Sequence, residues 1–71
     1  MMVEGTFAWA IQEMLANKYE AFTYGDGSTC YRWGWNCIEH NWNGVWSAGI
    51  FLNNEKLFAS DWRRVKKEEE R

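Results

Sequence analysis

Proline is missing from the 71-residue chain, histidine occurs once and cysteine twice. Without proline or a Ser/Gly tract nothing marks a linker, so residues 1–65 read as a single domain and 66–71 as a charged, disordered tail. A chain this short lies near the lower limit for a self-sufficient hydrophobic core. Long apolar runs are lacking too. The longest, Ala48 to Leu52, is broken by Gly49 and falls far short of a membrane span. The opening Met1-Met2-Val3-Glu4 has neither the basic region nor the apolar stretch of a signal peptide, and a cytoplasmic location is expected.

Few residues here are suited to chemistry. Cys30 and Cys37 cannot build a multi-bridge framework and read as free thiols packed as small hydrophobes. Cys37 and His40 have a metal-like spacing, with Cys30 a third candidate, but a structural zinc site takes four ligands. No metal and no cofactor is expected. No Gly-x-Ser-x-Gly elbow, phosphate loop or His-Glu-x-x-His motif accompanies His40. As a nucleophile–base dyad, Cys37 and His40 would point to opposite faces of one short strand. The carboxylates are spread singly along the chain. The reading is a protein without catalytic residues and without enzymatic activity.

Cations are scarce as well. Residues 1–61 hold only Lys18, Arg32 and Lys56 against seven carboxylates, a net charge of −4, while residues 62–71 carry +2. Binding to duplex nucleic acid normally leaves a broad basic footprint, and an acidic body argues against it. The carboxylates are in turn too few for a protein that imitates DNA.

What the chain has in plenty is tryptophan. Six indoles occur, four of them between Trp33 and Trp46, beside three tyrosines and four phenylalanines. A single helix cannot cover thirteen aromatic rings, and indole is a preferred anchor at interfaces. Tyr31, Trp33 and Trp35 alternate along one strand and have two readings. They line the face packed on the helix, or one or two of them join Trp42 and Trp46 around a pocket or interface.

A helix is expected from Phe7 to Ala16, capped by Thr6, with Phe7, Ala10, Ile11, Met14 and Leu15 as its apolar stripe. Trp9 lies off that stripe, which points to self-association as a dimer or to cover by the terminal segment. Asn17 closes the helix in a left-handed conformation. Strands are expected over 19–24, 29–35, 37–40, 45–52, 56–59 and 61–65, with turns at Gly25-Asp26-Gly27-Ser28, Asn43-Gly44 and Asn53-Asn54-Glu55. The fold class is α+β: one N-terminal helix packed on a curled antiparallel sheet of four to six short strands. Trp62 should fasten the last strand over the helix.

The opening Thr6-Phe7-Ala8-Trp9-Ala10-Ile11-Gln12-Glu13-Met14-Leu15 and the step Asn17-Lys18-Tyr19-Glu20-Ala21 resemble the start of a group of small phage proteins. The ending Ala59-Ser60-Asp61-Trp62-Arg63-Arg64-Val65 is similar to their terminal Asp-Trp-x-x-Val strand, and Gly34-Trp35-Asn36 to their Gly-Trp-Asn. This is the Thoeris anti-defence 2-like family. The resemblance implies a phage protein that evades host immunity from the host cytoplasm, and members that form oligomers and sequester nucleotide signals.

Two functions follow. The first is inhibition of a host defence effector, such as a CRISPR complex, by binding a protein partner through an aromatic, acidic surface. The second is sequestration of a nucleotide-like signal in an aromatic pocket, within one subunit or between subunits, with rings stacked on Trp33 or Trp35. The candidate binding residues are Arg32, Trp33, Trp35, Asn36, Trp42 and Trp46, with Trp9 for self-association. Arg32 would offer a fork to a phosphate, Asn36 an amide to a base edge. A cross-strand pair of Arg32 with Glu39 is the structural alternative for that arginine.

Overall fold

Thr6 stands in extended conformation and its hydroxyl accepts the Trp9 N–H at 3.2 Å, which opens helix α1 at the residue its sequence signals. The computed structural model describes residues 2–65, and in it α1 spans Phe7–Ala16. The expected charged tail, residues 66–71, lies outside the described residues. Ala10 and Met14 are buried, with Phe7, Trp9 and Ile11 packed beside them. Leu15, expected on the apolar stripe, is exposed, because the buried arc centres on Ala10 and Met14 and Leu15 lies beyond it. Asn17 ends the helix without the left-handed conformation expected of it. Its φ is −133°, and both its backbone N–H and its side-chain amide donate to the Glu13 carbonyl. Two residues later Tyr19 takes the positive φ instead, at 69°.

The sheet comprises β1 (Phe22–Thr23), β2 (Cys30–Trp33), β3 (Ile38–Trp42), β4 (Val45–Ala48) and β5 (Arg63–Arg64). Its order is β4-β3-β2-β1-β5, every pair is antiparallel, and the five strands form an open sheet with α1 on one face. The expected α+β architecture holds. Most strands are shorter than the alternation suggested. Tyr19 turns the chain ahead of β1, and Gly49, at φ 104°, turns it out of β4. The Gly49 N–H still donates to the Ile38 carbonyl, while His40 Nδ1 donates to the Gly49 carbonyl at 2.8 Å. Asn43 and Gly44 both have positive φ, 56° and 81°, the geometry of the two-residue turn that Asn-Gly favours.

A strand expected over residues 56–59 is instead a short helix, α2 (Asn54–Phe58). Asn53 is the reason. Its side chain accepts the Lys56 N–H at 3.0 Å, so the residue read as a turn acts as an N-cap. The core joins Ala10, Met14, Phe22, Tyr31 and Trp62. Trp62 touches Phe7, Tyr24 and Tyr31, with centroids 4.7–5.6 Å away. Its indole donates to the Lys56 carbonyl at 3.0 Å, tying the terminal strand to α2 as well as to α1. Near it the Trp62 N–H donates to the Gly5 carbonyl, so the two ends of the fold meet.

Candidate functional site

The register splits the tryptophan-rich stretch between opposite faces. Tyr31 and Trp33 pack toward the core, as one of the two expected readings has it. Arg32 points to the other face, directly opposite Glu39, and its Nε donates to the Glu39 carboxylate at 2.8 Å. The guanidinium lies 4.0 Å from the Trp46 ring centroid and 5.2 Å from that of Tyr19. Gly34 makes this possible, because a Cβ there would strike the Glu39 carboxylate. Arg32 is thus engaged in a cross-strand pair, and Trp46 is one wall of its stack.

The other expected site residues are dispersed. Trp35 and Asn36 occupy the turn after β2, with Trp35 80% exposed, so Trp35 does not continue the buried face of Tyr31 and Trp33. Trp42 is exposed at the β3–β4 hairpin. Trp9 makes an edge-on contact with Phe22 at 5.9 Å between centroids, so the flank of the core accounts for it within one chain. That contact gives Trp9 a partner within the chain and leaves it partly exposed.

A different region gathers the features of a site. Seven hydrophobic side chains are buried among the described residues, yet eleven large ones stay exposed. Four of the eleven fall in the short stretch around α2: Phe51, Leu52, Leu57 and Phe58, with Phe58 79% and Phe51 76% exposed. Together they make residues 51–58 an exposed apolar segment, the α2 ridge. Lys56 is the buried residue of α2, while Phe58 in the helix and Phe51 ahead of it remain exposed.

Beside the ridge runs a groove of about 770 Å³ between the β1–β2 turn and α2, lined in part by Tyr24, Tyr31, Lys56 and Phe58. Its walls follow from local rules. Gly25 and Gly27 supply the positive φ of the turn, and Asp26 holds it by accepting the Ser28 N–H. That hydrogen bond keeps the Asp26 carboxyl below its ordinary range. Asp61 accepts the Gly25 N–H at 2.9 Å, while the Tyr24 hydroxyl donates to Glu55 at 3.1 Å. Burial, reinforced by this bond to Glu55, pushes the Tyr24 phenol up to about 12, and burial likewise raises Tyr31. Both phenols are therefore neutral donors at physiological pH, unsuited to act as bases.

The lining of the groove includes three carboxylates, Asp26, Glu55 and Asp61, and the cation Lys56, with Arg63 beside it paired to Asp61 and bonded to the Gly25 carbonyl. A polyanion would meet net repulsion there. Sequence reasoning missed the region because the strand assigned to residues 56–59 concealed a helix. The signals available were the apolar run ending at Leu52 and the Asn53 cap. Among the described residues no group of three His, Cys, Asp or Glu side chains is placed to hold a metal ion, and no helix is long and apolar enough to cross a membrane. No protein-family model matches the chain, and neither a curated protein nor a solved structure matches it significantly.

Proposed function

We propose that this chain is a non-enzymatic, phage-type anti-defence protein that inhibits a host immune effector by docking on it through the α2 ridge. The observation that carries this reading is the ridge itself, four large apolar side chains left exposed in one short segment next to an acidic groove. Contiguous apolar surface with a polar rim is the anatomy of a protein interface. Phe51 and Phe58 have the size of central anchors, and the carboxylates of the groove supply a charged rim. The phage context rests on the terminal motifs that resemble the Thoeris anti-defence 2-like family. A second copy seated on the ridge would compete with the effector for the same surface.

Sequestration of a nucleotide signal has less support. Arg32, the cation meant for its phosphate, is held by Glu39, and the groove large enough for a nucleotide is acidic. The test is phage plating on bacterial strains that each carry one defence system. Expression of the chain should restore plating on at least one strain, and the effector of that system should co-purify at fixed stoichiometry. Cyclic dinucleotides and adenosine-diphosphate-ribose derivatives should leave the tryptophan fluorescence unchanged. Restored plating without an effector complex, with a nucleotide quenching the fluorescence, would favour sequestration.

A further inference from the structure

The open sheet has two edges of opposite character. At one, β5 offers only two residues, Arg63 and Arg64, and both guanidiniums are paired with carboxylates of their own chain. So short and charged a strand is a poor template for another. At the other edge stands β4. Its residues Val45–Ala48 carry no charge, and the uncharged stretch runs on to Asn54 without a proline. Val45, Ser47 and Ala48 are exposed, and among the described residues no strand pairs with the outer side of β4. The devices that usually blunt an edge, a lysine, a proline or a covering element, are missing from it.

The ladder tells which backbone groups point outward. The Gly49 N–H donates to the Ile38 carbonyl at 2.7 Å, and β4 pairs with β3 from Trp42↔Val45 to Glu39↔Ala48. Hydrogen-bonded pairs alternate along an antiparallel ladder, so Ser47 and Val45 also turn their backbone groups inward, as the two-residue turn at Asn43-Gly44 requires. Trp46 and Ala48 turn theirs outward, where no backbone group of the described residues meets them. One register lets a second copy satisfy all of these groups. With a two-fold axis at Ser47, Trp46 of each copy faces Ala48 of the other, and the two pairs exchange four hydrogen bonds. Moving the axis to Trp46 or Ala48 brings in Gly44 or Ile50 as the next partner. Gly44 already donates its N–H to Asn41, and Gly49 at φ 104° turns Ile50 out of the strand.

We propose that two copies of this chain pair through β4, antiparallel about Ser47, into a single sheet with five strands from each copy. Self-complementarity selects a second copy as the occupant. Each indole of Trp46 lies across from the methyl of Ala48, and Ser47 across from Ser47, so neither bulk nor like charge opposes the match. Glu39, the carboxylate next to Ala48 in the ladder, is neutralised by Arg32 at 2.8 Å. Because β5 offers no second open edge, the assembly closes at the dimer and does not grow into a fibre. The pairing ends at Ala48, ahead of the ridge, so it goes beyond the docking role and stands without it.

Sedimentation equilibrium of the full chain over a micromolar concentration series tests this, and should show a monomer–dimer equilibrium with no larger species. Ser47→Lys and Ser47→Glu each set like charges face to face across the axis and should sediment as monomers. An equimolar mixture of the two variants should re-form a dimer, because opposite charges then meet at the same point. Ser47 is exposed, so both variants should keep the monomer fold, which circular dichroism checks. Ala48→Pro removes only an outward N–H and spares the β3–β4 ladder; it should raise the dimer dissociation constant by about tenfold or more. Should Ala48→Pro not fold, the Ser47 variants decide alone. A wild-type chain that stays monomeric, a dimer that both Ser47 variants retain, or a mixture that fails to pair overturns the proposal. So does a folded Ala48→Pro variant with unchanged dimer affinity.

Discussion

Trp62 concentrates the fold's packing in one side chain. It is 2% exposed, meets three aromatic rings and satisfies the Lys56 carbonyl. Trp62→Ala should cost ~3–5 kcal/mol, enough to unfold a domain of this size, and thermal melting checks it. A variant melting within a few degrees of the wild type would make Trp62 dispensable to the core. The tyrosines give a second residue-scale expectation. Tyr24 and Tyr31 have raised folded pKa values, so the folded state holds their protons more tightly than the unfolded chain does. Their contribution to stability is fully present below the unfolded value of 10.0 and is lost as the pH rises through the folded value, about 12 for Tyr24. Thermal melting followed from pH 8 to pH 12 should therefore fall only in the alkaline part of that range, and tyrosinate absorbance should develop late for two of the three tyrosines.

At the scale of elements, the features legible in the sequence are those whose signals are local. Thr6 caps α1 where its hydroxyl predicts, and Asn43-Gly44 turns the β3–β4 hairpin through two positive φ angles. The alternation of Tyr31, Trp33 and Trp35 left two readings open, and the inward one holds for Tyr31 and Trp33 but not for the exposed Trp35. Less legible were elements decided by distant partners. Five residues of α2 are too few for a periodic signal, and Asn53 looks alike as a turn residue and as a cap. Asn53→Ala should cost ~1 kcal/mol, the usual worth of such a cap, in denaturant unfolding. The Arg32–Glu39 pair is a second case, because two roles for Arg32 were open until the register set Glu39 opposite it. Arg32→Ala should lower stability by roughly 1–2 kcal/mol through loss of the ion pair and the Trp46 stack, and leave defence inhibition intact. A loss of inhibition without a loss of stability would return Arg32 to the binding site.

For the molecule as a whole, the excess of aromatic residues resolves into two populations. One packs around Trp62 beneath α1 and α2; the other, Trp35, Trp42, Phe51 and Phe58, remains exposed. The sequence signals more aromatic surface than a small core holds, with six tryptophans in the chain. It does not show where, because the tryptophan cluster is divided by the pleat while the ridge is built largely of phenylalanine and leucine. The site became visible only when Lys56, far along the chain from Tyr24 and Tyr31, came together with them in one groove. The central claim is that the ridge is a docking surface and not part of the packing. Phe51→Asp combined with Phe58→Asp tests it, measured as plating of a restricted phage on the defence strain that the wild-type chain rescues, with thermal melting alongside. The account predicts that rescue is abolished while the melting temperature stays within a few degrees of wild type; full rescue by this correctly folded variant would contradict it.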